Sequence, residues 1–189
     1  ASISLTEAQL NTVAGTAGAD LDDAFAEDSI KISEAITGGG DAEKTILANG
    51  DKIADDGISS ITLTDVQFDT FIGTNTADPF KASSVTLGDV TGNEQTVVNN
   101  LDKVADNGVS AIQLASDDVF TTAVDNNAAA LAAGSVSLEN KAVADAADIT
   151  AVVNNHTKLA DAQVASISLT EAQLNTVAGT AGADLDDAF

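Results

Sequence analysis

At 189 residues the chain is long enough for an ordinary core and 44% of it is hydrophobic, but with six Phe and no Trp or Tyr that core must be built from Ala, Val, Ile and Leu. Seven Lys and Arg against 30 Asp and Glu leave a formal charge of -23, which excludes the clustered basic surface that nucleic acid or anionic lipid requires. Cysteine is absent, so disulfides and thiolate metal sites are excluded, and no apolar run approaches the roughly 18 residues of a membrane span or resembles a signal peptide.

In chain order, the first element is Ile3-Ser4-Leu5, two apolar residues flanking a polar one, which predicts a short half-buried strand. The pattern returns at Ile30/Ile32, Ile61/Leu63, Val85/Leu87, Ile112/Leu114, Val136/Leu138 and Ile167/Leu169, so that successive pairs start 27, 31, 24, 27, 24 and 31 positions apart. Self-similarity at such a period predicts a solenoid. After the strand, Thr6, Thr64 and Thr170 stand three residues before Gln9, Gln67 and Gln173, the spacing of a capping box at a helix start. Gly15, Gly73 and Gly179 are placed to end these helices. An irregular return follows, holding the single proline, Pro79, and Phe25, Phe80 and Leu131 each stand five residues before a strand, where they would plug the corner of a rung.

The alternate half-unit aligns residues 45–63, 96–114 and 151–169. Val97, Val98, Leu101, Val104 and Ala105 recur at helical spacing and predict a helix feeding the next strand. Gly57 and Gly108 follow at the position of a left-handed C-cap. Residues 1–25 reappear unchanged as residues 165–189, so the expected organisation is one continuous solenoid over 1–189, with a 164-residue period of three two-rung units. The sequence opens at Ala1 without Met and reads as a window of a longer array that continues covalently or polymerises, the alternative being a duplicated end or a recent local duplication. The fold class expected is α/β: a right-handed repeat solenoid with one parallel strand per rung of about 27 residues, seven strands in all, and helices on the opposite side. The alternative is an all-β solenoid in which stretches such as 96–100 are second strands.

Side chains alternate across a strand, so Ser60, Thr62 and Thr64 should point away from Ile61 and Leu63. Stacked rungs would then present an outward column of Ser4, Lys31, Thr62, Thr86, Gln113, Ser137 and Ser168 beside one of Ser2, Ser29, Ser60, Ser84, Ala111, Ser135 and Ser166. That face is nearly uncharged, and Ser60, Thr62, Thr64, Thr86, Gln113 and Ser137 are the candidate contacts for ice, glycan or a neighbouring filament. Asp20, Asp22, Asp23, Asp55, Asp56, Asp106 and Asp161 are the candidate metal ligands, because hard oxygen donors in loops suit calcium. Against a metal, Lys52, Lys103 and Lys158 lie three residues before Asp55, Asp106 and Asp161 and can neutralise them, and no EF-hand spacing occurs. No other cofactor is expected. Nor is catalysis: His156 is the only histidine and replaces Leu101 and Gly50 of the sister copies, and Gly38-Gly39-Gly40 lacks the Gly-Lys-Ser/Thr ending of a phosphate loop.

The spacing Ile58-x-x-Ile61-x-Leu63, repeated at Val109/Ile112/Leu114 and Val164/Ile167/Leu169, resembles the strand core of leucine-rich repeats, without their asparagine ladder. The wording of 105–114 and 160–174 is similar to tandem arrays in giant bacterial secreted and cell-surface proteins of the RTX-adhesin kind, although the calcium nonapeptide of that family is absent. The resemblance implies an extracellular or cell-surface location and a structural or adhesive role, as a filament, sheath or adhesin stalk. The partners expected are further copies, end to end and laterally, with neither nucleic acid nor membrane insertion.

Overall fold

Among the described residues, every β-ladder in the computed structural model is parallel and joins segments about one repeat step apart. The shortest step joins Val85 with Val104 and the longest Ile3 with Ile30. The structure describes residues 2–16, 18, 21, 25–36, 40–74, 78–179 and 187–189. They form two compact units, Ala1–Leu87 with Lys103–Ala105, and Gly88–Asp102 with Asp106–Phe189.

The first unit runs β1 (Ile3–Leu5), α1 (Glu7–Ala14), β2 (Ile30–Ile32), α2 (Asp41–Ala48), β3 (Ile53–Ile58), β4 (Ile61–Thr62), α3 (Asp65–Thr74) and β5 (Val85–Thr86). Its sheets are β1-β2-β3 and β4-β5, and α1 packs on α2. The second unit runs β6 (Gly88–Val90), α4 (Glu94–Asn99), β7 (Val109–Leu114), α5 (Asp117–Asn127), β8 (Val136–Leu138), β9 (Ala142–Val143), α6 (Ala146–Asn155), β10 (Ser166–Ile167) and α7 (Glu171–Val177). Its sheets are β6-β7-β8 and β9-β10, and α4, α5, α6 and α7 pack in series. The class is therefore mixed α/β. The all-β alternative is overturned, because residues 96–99 lie inside α4. No helix among the described residues is long and apolar enough to cross a membrane.

Alternation sets the core. Ile61 and Leu63 are 1% and 3% exposed while Thr62 between them faces out. The expected register holds at three steps: Ile3 opposite Ile30, Ile61 opposite Val85, and Ile112 opposite Val136. It changes at the next step. Ile32 pairs with Ile58, and a second short segment takes over the ladder, Ile36 beside Ile61, Val90 beside Ile112 and Val143 beside Ile167. Among the described residues the result is ten short strands in four small sheets instead of seven in one column. In each case the new partner is an apolar residue five to seven positions after the preceding strand begins, Ile36 after Ile30, Val90 after Val85 and Val143 after Val136.

The helix of the alternate half-unit is shorter than its apolar spacing predicts. Val97, Val98, Leu101 and Val104 are all fully buried, each contributing roughly 1.5–3 kcal/mol, but α4 stops at Asn99 and a 3-10 turn covers Leu101–Lys103. Asparagine ends it. The Asn100 side chain donates to the Thr96 carbonyl at 2.8 Å and its backbone N–H to Val97 at 3.1 Å, and Asn49 and Asn155 make the same side-chain bond to Thr45 and Ala151. These bonds satisfy carbonyls that a helix end leaves free. At the other helix starts, the capping boxes of Thr6 with Gln9, Thr64 with Gln67 and Thr170 with Gln173 all form.

Two glycine expectations are corrected. Gly15 and Gly179 do take positive φ, but Gly73 continues α3, whose Phe71 is buried. At the second turn Asp56 and Asn107, not Gly57 and Gly108, hold the left-handed backbone, with φ of 52° and 55°. Asp and Asn tolerate that region because their short polar side chains bond locally. Gly57 serves a different need: a Cβ there would lie 2.5 Å from the Ala54 carbonyl. The left-handed residue recurs at Asp28, Asp56, Ser83, Asn107, Gly134 and Ala162, at steps of 24 to 28 and each two residues before a buried Ile or Val, and Gly88 inside β6 adds one more before Val90.

Phe80 and Leu131 are both fully buried, with the Phe80 ring tilted against Phe68 and Phe71 at 5.8 and 4.9 Å, while Phe25 is half-buried. Lysines reach the same segments. Lys52 Nζ donates to the Phe25 carbonyl at 3.1 Å, Lys158 Nζ to the Leu131 carbonyl at 2.6 Å, and Lys103 pairs with Asp78 at 2.5 Å.

Candidate functional site

The outer sheet face is built by strand alternation. Thr62 lies opposite Thr86 on β4 and β5, and both are exposed, as is Ser60. Thr64 is exposed too, with its hydroxyl accepting the Gln67 N–H at 3.2 Å as a helix cap. In the other unit Gln113 is exposed opposite half-buried Ser137, whose hydroxyl lies 3.4 Å from the Ile112 carbonyl. These two residues, with Asp89, Thr91, Ser135 and Ala160, line a shallow groove of about 450 Å³. Such a face offers rotatable hydroxyl donors and acceptors over an open surface, which suits an extended contact. The second outward column is corrected in part. Ser29, Ser84 and Ser135 are 9%, 3% and 5% exposed, because each follows a left-handed residue that turns its side chain inward.

Of the predicted acidic ligands, Asp20, Asp22 and Asp23 lie outside the described residues. Asp55, Asp56, Asp106 and Asp161 are all exposed. Asp55 and Asp56 lie within β3, not in a loop, while Asp106 and Asp161 stand in the turns that follow Val104 and Leu159. Asp55 accepts the Asp78 N–H at 3.1 Å. The lysines expected to neutralise them reach instead to the Phe25 carbonyl, the Asp78 carboxylate and the Leu131 carbonyl.

One acidic group does converge, and sequence reading missed it. Asp118, near the start of α5, Asp145, the N-cap of α6, and Asp148 in the first turn of α6 bring carboxylate oxygens within 4.8 Å of one another. Asp148 is 4% exposed and accepts the Thr121 hydroxyl at 2.5 Å. Repulsion from Asp148, reinforced by desolvation and by Asp117 and Asp145, holds the Asp118 carboxyl above its ordinary range. The positive ends of two helix dipoles offset part of this repulsion. The available signal was the spacing: Asp118 to Asp145, and Thr121 to Asp148, is the same step that separates Ile3 from its strand partner Ile30.

His156 opens the 3-10 turn His156–Lys158 and is half-buried in the position Leu101 fills in the sister copy. Compared with known proteins, the chain matches no family model, no curated protein and no solved structure.

Proposed function

We propose that this chain is a length of solenoid with a structural role, a repeat segment of a bacterial extracellular filament, sheath or adhesin stalk that assembles end to end. The observation that carries the reading is periodic: among the described residues a left-handed residue recurs at Asp28, Asp56, Ser83, Asn107, Gly134 and Ala162, at steps of 24 to 28, with parallel ladders that each join segments about one repeat step apart. The steps share a helix, a left-handed turn and a short parallel strand or bridge, and apart from α5 the helices before these turns are either closed by asparagine or opened by a capping box, so a further period adds contacts of the kind already present. The open, hydroxyl-lined face supports a contact surface as its role in place of catalysis. A charge of -23 keeps such a polymer soluble and resists indiscriminate bundling.

Fibre diffraction or helical reconstruction of the assembled material tests the reading. Six strand spacings of about 4.8 Å give an axial advance of roughly 29 Å per 164-residue period. A rise unrelated to six spacings refutes the rung count, and a monodisperse monomer at high concentration refutes the assembly of separate chains.

A second reading, a calcium-binding surface module, is favoured by the convergence of Asp118, Asp145 and Asp148. Calcium would replace mutual repulsion by shared coordination.

A further inference from the structure

Segments 1–25 and 165–189 are identical, but α1 with β1 and α7 with β10 are packed from opposite sides. In the first copy α1 packs on α2 and Leu10 is fully buried, while Ile3 and Val13 are 47% and 42% exposed. In the second copy α7 packs on α6, and the pattern inverts: Val177, the counterpart of Val13, is 3% exposed, and Leu174, the counterpart of Leu10, is 43% exposed. The backbone agrees. Ile3 pairs forward with Ile30, whereas Ile167 pairs backward with Val143.

Resting on the structural reading above, we propose that this segment has two packing sides and that the side open at Leu174 seats residues 26–53 of a second copy of this chain. The seat is already visible at the first copy. Ser33 Oγ donates to the Leu5 carbonyl at 3.0 Å, Glu34 accepts the Glu7 N–H at 2.6 Å, Asn49 accepts the Leu21 N–H at 2.7 Å and Lys52 donates to the Phe25 carbonyl at 3.1 Å. By sequence those four partners recur as Leu169, Glu171, Leu185 and Phe189, so the incoming residues 26–53 meet the backbone groups and side chains they already bind. Where the period continues covalently, the second copy is the next period. Where chains are separate, residues 165–189 of one chain take the place of residues 1–25 on the next, an exchange of identical elements as in domain swapping.

The test compares one substitution in two settings. In the 189-residue chain Leu174→Ala should leave Tm within about 2 °C, as for an exposed site, while Leu10→Ala should lower it by roughly 5–15 °C. In a tandem chain made of residues 1–164 followed by 1–189, Leu174→Ala falls at the internal junction and should lower Tm of the junction by the same several degrees as Leu10→Ala. If Leu174→Ala is silent in the tandem, the two-sided seat is overturned even if fibres form. If it is costly in the tandem while the 189-residue chain stays monomeric in sedimentation, the seat stands and assembly of separate chains is what fails.

Discussion

Replacing Ala162 by Gly should stabilise the protein although it removes a side-chain atom. Ala162 holds φ at 54°, where a Cβ crowds the following carbonyl at a cost of about 1–2 kcal/mol. Glycine removes that strain but loses about 0.4–1 kcal/mol through its freer unfolded chain, leaving a gain of about 0.5–1 kcal/mol. For a chain of this length that is a rise in Tm of roughly 1–4 °C. The Ala162 N–H bond to the Asp187 carbonyl, 2.7 Å, is unaffected. Gly134 occupies the same place in the neighbouring turn, at φ 66°, and an added Cβ meets nothing within 4 Å. Gly134→Ala should therefore cost about 1 kcal/mol from backbone strain alone. Urea unfolding monitored by circular dichroism reads both, with m unchanged if only the native turn is affected. A lower midpoint for Ala162→Gly, or no change for Gly134→Ala, would refute the argument that these turns store left-handed strain.

The acidic cluster makes a pH prediction. Because the folded-state pKa of Asp118 is raised, the native state holds more protons than the unfolded one between the ordinary carboxylate pKa and the raised value, so this group's contribution to stability falls as pH rises through that window. Asp118→Asn should raise Tm at neutral pH and flatten the difference from the parent on acidification; an unchanged Tm–pH difference curve would remove the repulsion. If the cluster holds calcium, millimolar calcium should raise Tm more than sodium at matched ionic strength and lose that advantage in Asp118→Asn, whereas equal rescue by both salts identifies screening alone. On the sheet face, Thr62→Lys with Thr86→Lys should change stability by less than about 0.5 kcal/mol and reduce lateral bundling seen by electron microscopy. Unfolding would show that these side chains are not on the outer face.

Contacts between residues two to four apart were legible in the sequence. The capping boxes at Thr6, Thr64 and Thr170 depend on a glutamine three residues on, and the burial of Ile61 and Leu63 about an exposed Thr62 depends on the period of a strand. Such features arise from local geometry, so a short stretch specifies them. Which residue takes the left-handed turn was not legible, because the crowding at Gly57 comes partly from the Ile30 carbonyl of strand β2, 3.0 Å from its added Cβ and one repeat step earlier in the chain. Partner choice in the ladders was also hidden, since Ile36, Val90 and Val143 outcompete the expected strands only once the chain has turned back on itself. The convergence of Asp118 with Asp145 and Asp148 likewise needs two helix starts brought side by side. The duplicated segment shows the division within one set of letters. Its sequence makes both Leu10 and Val13, and both Leu174 and Val177, apolar, but only the neighbour present on each side decides that Leu10 and Val177 are buried while Val13 and Leu174 face water, because burial is removal from solvent by other atoms and those atoms lie outside the segment.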